Sequence, residues 1–182
     1  MHRAIAMVET STVTSGMLAA DLILKTAAVA VLEAKVVCPG KYIILFTGEL
    51  SAVKASHDAA CRAYAPHIVD SFLLGNPHEK IFDAMLGAVP VDEMKALGIV
   101  ETYSAASAVR AADTAAKTAL VELIELRLAV GMCGKSYLLF TGSVAAAEAA
   151  VERVKQELKE SAMLLDCAVI ANPDKDLAKS IF

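Results

Sequence analysis

This 182-residue chain contains no tryptophan, and aromatic residues make up only 5% of it. With so much of its apolar content carried by alanine, it suits closely packed, flat interfaces. It also has no long hydrophobic stretch: no run approaches the roughly 18 uncharged apolar residues of a membrane-spanning helix. Its 57% apolar content, above the 45–50% or so of an average soluble domain, is therefore read as extra buried surface between subunits. An excess of positive charge is missing too. The formal net charge is −4 and the pI about 5.6, which argues against a nucleic-acid-binding surface. The four cysteines, at 38, 61, 133 and 167, have unrelated spacings and form no disulfide framework. Met1–Ile5 runs straight into a strand pattern without a secretory apolar region, so a cytoplasmic location without membrane attachment is expected. No Ser-His-Asp order and no metalloprotease or nucleotide-binding motif occurs. Gly131-Met132-Cys133-Gly134 has too few glycines at the wrong spacing for a phosphate loop. His57, His67 and His78 show no ligand spacing to one another or to Cys38, and His2 is terminal.

What the chain does have is a repeat. Val8-Glu9-Thr10 returns as Val100-Glu101-Thr102 at an offset of 92, as do Ala19-Ala20-Asp21 (Ala111-Ala112-Asp113) and Lys25-Thr26-Ala27 (Lys117-Thr118-Ala119). Gly40-Lys41 returns as Gly134-Lys135, and Phe46-Thr47-Gly48 as Phe140-Thr141-Gly142, now at 94. Asp70 matches Asp166, and Asn76-Pro77 matches Asn172-Pro173, at 96. The order is kept while the offset drifts by small loop insertions, the mark of a tandem duplication.

Within the first copy, Ala4–Val8 reads as a strand ending at Glu9-Thr10. Ser15-Gly16 opens a helix with one apolar face. The β-branched run Val29–Val37 and the run Tyr42–Phe46 are strands joined by a hairpin turn. Leu50–Ala65 reads as a second helix closed by Pro66, Ile68–Leu74 as a fourth strand, and His78–Leu86 as a short helix. The order β-α-β-β-α-β makes this an α+β protein of ferredoxin-like pattern, an antiparallel four-stranded sheet with two helices on one face. The second copy repeats it from Ile99 to Val169, with the join near Gly87–Leu97. The expected domains are 3–87 and 96–182.

The hairpin turn Cys38-Pro39-Gly40 is the stretch with the most chemical content. Pro39 fixes φ and lacks an N–H, and Gly40 permits positive φ, so the turn is stiff and presents one thiol. In bland terms Cys38 is a small, half-buried turn residue. Cys133 falls one place past Cys38 in the repeat alignment and stands in a second turn, either as a small loop residue or as a further thiol. Cys61 and Cys167 read as core residues. Glu9 and Glu101 end the first strands; their symmetric repetition favours a structural role, such as bonding a nearby loop amide.

Val-Glu-Thr on the first strand, Ala-Ala-Asp and Lys-Thr-Ala on the first helix, and a strand ending Thr-Gly-Glu or Thr-Gly-Ser together resemble the bacterial microcompartment shell (BMC) domain. Two copies in one chain resemble the tandem-domain shell proteins, and Cys-Pro-Gly-Lys in the first copy resembles their PduT type. The resemblance covers almost the whole chain and implies a homotrimer with pseudo-six-fold symmetry and a central pore, tiling with other shell proteins and serving enclosed redox enzymes. It implies that Cys38, Pro39, Gly40, Met132, Cys133 and Gly134 line the pore. It implies also that Lys25 and Lys117 lie at the oligomer edge, and that Cys38 from each of three subunits ligates one [4Fe-4S] cluster for electron transfer across the shell or cluster exchange. Asn76 and Asn172 stand where many members place Arg before the last helix.

One thiolate is a poor ligand set for a cluster that commonly takes four, but cyclic symmetry multiplies it by the number of subunits. Zinc held by the same thiolates is an alternative. So is a metal-free pore for a small metabolite. A nucleophilic Cys38 would need a base that the local sequence does not supply. The expectation is a non-enzymatic shell protein.

Overall fold

β1 (Ala4–Thr10) is buried along its whole length, and the fold of the first copy grows from it. Its neighbour β3 (Lys41–Gly48) is buried at six successive positions. Strands apolar on both faces must be covered on both. The structure, a computed structural model, describes residues 4–87, 89–91 and 93–181.

Two compact units are present. The first holds residues up to Pro77 together with Ser104–Ala106 and Ala129–Gly134; the second holds the rest. In unit 1 the sheet order is β2-β3-β1-β4, with β2 at Val29–Val37 and β4 at Ile68–Leu74. All neighbouring strands are antiparallel. α1 (Val13–Thr26) and α2 (Leu50–Ala63) pack on one face. Ala4, Ala6 and Val8 of β1 and Tyr42, Ile44 and Phe46 of β3 meet Ala19 and Ile23 of α1 and Val53 and Ala60 of α2 in one core. The period-2 alternation of the strands selects these residues and sends Ile5, Met7, Ile43 and Leu45 to the other face, where they too are buried. The ferredoxin-like pattern read from the sequence is the observed one.

α1 begins at Val13, two residues earlier than Ser15-Gly16. The physical reason is the cap: Thr12 Oγ1 accepts the Ser15 N–H at 3.3 Å and Gly16 N–H donates to Thr12 O. α2 ends at Ala63, short of Ala65, because Pro66 sits in a single 3-10 turn, Ala65–His67, that leads into β4.

Unit 2 repeats the order β6-β7-β5-β8. Its strands are β5 (Ala96–Thr102), β6 (Val121–Arg127), β7 (Ser136–Gly142) and β8 (Leu164–Ala171). Its helices are α3 (Lys80–Leu86), α4 (Ala105–Thr118, its first two residues in unit 1), α5 (Val144–Leu158) and α6 (Lys175–Lys179). α3, which follows the first copy in the chain, packs against β6. The copies agree even in their irregularities. β-bulges fall at Val31/Glu33 and Leu123/Glu125, and at Glu9/Thr10 and Glu101/Thr102. Duplication of one folding pattern explains both sets.

Where the copies differ, volume is exchanged. Gly16 of α1 lets Tyr42 of β3 approach so closely that an added Cβ would meet the tyrosine Cβ at 2.4 Å. At the equivalent positions of the second copy stand Ala108 and Ser136, both buried. On β5, Gly98 faces Phe140 of β7, where a Cβ would fall 2.3 Å from the ring. We therefore expect Gly98→Ala to destabilise unit 2 by about 1–3 kcal/mol through overpacking. Phe140→Leu in the same chain should restore part of the loss. Urea unfolding of the single and double variants measures the coupling, and strict additivity would show that the two positions do not press on each other.

Candidate functional site

The hairpin between β2 and β3 closes with Val37 paired to Lys41. Gly40 takes φ +108, the Cys38–Pro39 peptide bond is cis, and Gly40 N–H donates to Val37 O at 2.9 Å. Cys38 is a half-buried free thiol, while Pro39 and Gly40 are exposed. Val36, Val37, Cys38, Pro39, Gly40 and Val130 line a shallow apolar concavity.

The second turn, Ala129–Gly134, belongs to the same unit. It is tightly coiled: Ala129, Gly131, Cys133 and Gly134 all have positive φ. Cys133 is exposed, Met132 half-buried and Gly134 buried. Cys38 N–H donates to Ala129 O at 3.1 Å. A Cβ on Gly134 would sit 2.8 Å from Lys41 Cε and 2.9 Å from Cys38 O, so only glycine lets the turns meet this closely. The six residues expected to line one opening, Cys38 to Gly40 and Met132 to Gly134, thus occur together in unit 1. Lys25 and Lys117 are exposed at the ends of α1 and α4, each paired with the aspartate four residues earlier, Asp21 at 2.6 Å and Asp113 at 2.8 Å.

Behind the turns lies a clasp. Lys41 Nζ donates to Gly134 O at 3.0 Å and to Glu9 Oε1. Glu9 Oε2 accepts the N–H groups of Ala105 at 2.8 Å and Ala106 at 3.3 Å. The Glu9 side chain is fully buried and that of Lys41 is 11% exposed. The carboxylate occupies the positive end of a helix and satisfies two amides that have no intrahelical partner. Beside it, the Ser104 hydroxyl donates to Asp70 Oδ2. Burial pushes the Glu9 carboxyl above its ordinary range, against the pull of Lys41 and the two amides.

The structural role read for Glu9 is the observed one, with amides at a helix start. Lys41 was not assigned a role from the sequence. Its signal there was repetition as Lys135, just as Glu9 repeats as Glu101. Backbone amides of the Cys38 turn, a candidate source of hydrogen bonds to a cluster's sulfides, are engaged: Cys38 N–H by Ala129 O, Gly40 N–H by Val37 O, with none on Pro39. Cys61 and Cys167, read as core residues, are only half-buried. Cys61 lies against the unit 1 core, with Sγ 3.5 Å from both His57 Nε2 and Ser71 Oγ. Burial raises both thiols. Among the described residues, no group of three or more His, Cys, Asp or Glu side chains is placed to hold a metal ion, and no helix is long and apolar enough to cross a membrane.

Residues 4–77 and 96–173 each match the BMC domain family. The chain is 34% identical over 177 residues to the bacterial microcompartment shell protein PduT of Citrobacter freundii, covering 97% of this chain and 96% of that one. The crystal structure of a microcompartments protein from Desulfitobacterium hafniense superposes with a TM-score of 0.82 at 44% identity, covering 97% of this chain and 98% of the other. The fused permuted hexameric shell protein of the RMM microcompartment shares the fold, with a TM-score of 0.67 at 21% identity over 86% of this chain and 84% of that one.

The clasp predicts an unusual pH response. A folded carboxyl raised above its unfolded value of 4.5 makes the folded chain hold more protons than the unfolded one in the window just above that pH. The contribution of Glu9 to stability then falls as pH rises through the window and returns on acidification. Glu9→Gln keeps an acceptor for the amides but cannot titrate, so the slope of Tm against pH above 4.5 should lose this component. Glu9→Ala strands the Lys41 charge and should cost about 3–5 kcal/mol. Thermal melts from pH 4 to 7 check both; equal losses in the two variants would show that the carbonyl acceptor contributes nothing.

Proposed function

The chain belongs to the BMC-domain family of bacterial microcompartment shell proteins, in its tandem-domain, PduT-like form, and we propose that three copies close into a ring whose central opening is lined by the Cys38 and Cys133 turns. The observation that carries this reading is the pairing of the two turns in unit 1. Equivalent turns of the two repeats lie side by side, locked by Lys41 and by Cys38 N–H to Ala129 O. Continuing that side-by-side relation through three copies gives six turns around one axis. The ring would tile with other shell proteins, its edges including Lys25 and Lys117, and would serve redox enzymes inside the compartment. No bond-making chemistry is assigned to its residues.

The thiol chemistry fits a shared metal centre. One chain offers a single half-buried thiol in an apolar concavity, so any centre there must draw ligands from several copies. Thiolates suit both iron–sulfur clusters and zinc. Three Cys38 thiolates would hold a [4Fe-4S] cluster, which supplies one-electron transfer when bound, across the shell or as cargo exchanged at the opening. The chain's own part is positional. Pro39 and the Gly40 turn fix the thiol, Val36 and Val130 line the apolar concavity with it, and Cys133 stands beside the turn as an exposed second thiol.

A second reading, a metal-free opening for a small metabolite, draws support from the engaged amides. Unlike many protein environments of such clusters, the Cys38–Gly40 turn has no uncommitted N–H to direct at sulfide.

Anaerobic purification of the wild type and Cys38→Ala decides between them. We expect about four irons and four sulfides per trimer and an EPR signal on reduction, all lost in the variant while the trimer persists. Zinc in place of iron would replace the redox role with a structural one. An intact trimer without metal would leave the metabolite opening.

A further inference from the structure

The clasp of Glu9 and Lys41 has an unmatched counterpart. Glu101 and Lys135 occupy the same positions in the second repeat. Their side chains are 35% and 43% exposed, and Lys135 Nζ stands 4.0 Å from Glu101 Oε2. The helix start equivalent to Ala105-Ala106 is Val13-Thr14 at the head of α1, where Val13 is half-buried and Thr14 exposed. The inequality extends down the helix. Val109 of α4 is fully buried, whereas Met17, its equivalent on α1, is 57% exposed. Asp113 is buried, whereas its equivalent Asp21 is exposed. Leu18 and Leu24 also stand out from α1 into solvent. The pattern holds for the neighbouring pair. Asp70 Oδ1 accepts the Ser71 N–H and Oδ2 takes the Ser104 hydroxyl. Asp166 Oδ1 accepts the Cys167 N–H in the same way, while the residue equivalent to Ser104, Thr12, is exposed. One repeat therefore carries the carboxylate and ammonium without their helix end, and the other a helix end without its carboxylate.

We propose that the clasp is made a second time between copies: Glu101 of one chain accepts the Val13 and Thr14 N–H groups of the next, and Lys135 donates to that copy's Gly40 carbonyl, as Lys41 does to Gly134. The occupant of the exposed α1 face is thus a second copy of this chain. It is named by complementarity, carboxylate to helix N-terminus and ammonium to carbonyl, and by the filled example in unit 1. The contact covers the exposed Met17 of α1. It also ties the Cys133 turn of one copy to the Cys38 turn of the next, because Lys135 of the one bonds the Gly40 carbonyl of the other. The inference deepens the ring reading and rests on it.

The test uses the full chain. A Thr14→Lys variant is prepared in light- and heavy-nitrogen forms, mixed, reassembled and treated with a zero-length carbodiimide. We expect an amide bond joining the peptide of position 14 to the peptide of Glu101, with half of these pairs carrying mixed isotopes. In parallel, Glu101→Ala in the otherwise native chain should weaken ring assembly on dilution at least tenfold by light scattering. Its monomer should keep the wild-type melting profile, because Glu101 is already partly exposed. A ring with unchanged dilution stability and no mixed-isotope pair would overturn the contact while leaving the ring reading intact. A wild type that stays monomeric at all concentrations would overturn the ring reading and the contact with it. Cross-links from Glu101 only to a different shell protein would overturn the choice of partner.

Discussion

A buried carboxylate fixes the arrangement on which the rest depends. Glu9 cannot be left unpaired inside unit 1, because an isolated buried charge is costly enough to unfold a domain. Its two oxygens are satisfied by different partners, a lysine from the Cys38 hairpin and two amides at the start of α4. Lys41 then passes the constraint on to Gly134 O. Three segments far apart in sequence are held by one chain of charge-assisted hydrogen bonds. The Cys38 and Cys133 turns are what it holds.

Duplication gives this arrangement its asymmetry. Each repeat carries a glutamate, a lysine and a helix start, yet within one chain only the first glutamate meets the second helix start. The other half of the set is displayed at the surface, with Met17, Leu18 and Leu24. In the proposed ring, rotation would bring the half-exposed carboxylate of one copy to the α1 start and apolar helix face of the next. The packing exchange of Gly16 and Tyr42 for Ala108 and Ser136 shows that the repeats kept the frame while their interior volumes were redistributed.

Much of the fold was legible. The offsets of 92, 94 and 96 revealed the duplication, and strand periodicity placed β2 and β4 at their observed residues. Helix ends were less legible, because Thr12 caps α1 through a side-chain bond that periodicity does not register, and because Pro66 was absorbed into a 3-10 turn. For the site, Cys38-Pro39-Gly40 was recognisable from residue chemistry, and the paired glutamates suggested amide binding. The identity of those amides was not recoverable, since Ala105 and Ala106 have no side-chain signature and lie almost a hundred residues from Glu9. The half-burial of Cys61 and Cys167 was equally hidden, because an apolar neighbourhood in sequence does not fix how much of a strand or helix face is covered.

The sequence by itself determined the repeat, the α+β order, the family and the single stiff thiol turn, because these rest on local propensity and on residue identities that recur in order. Only the tertiary structure decided that the two turns lie together, that Glu9 is buried and Glu101 is not, and that the amides of the Cys38 turn are already bonded. Those facts depend on which distant backbone groups meet, and a backbone amide or carbonyl looks the same in every residue of the chain.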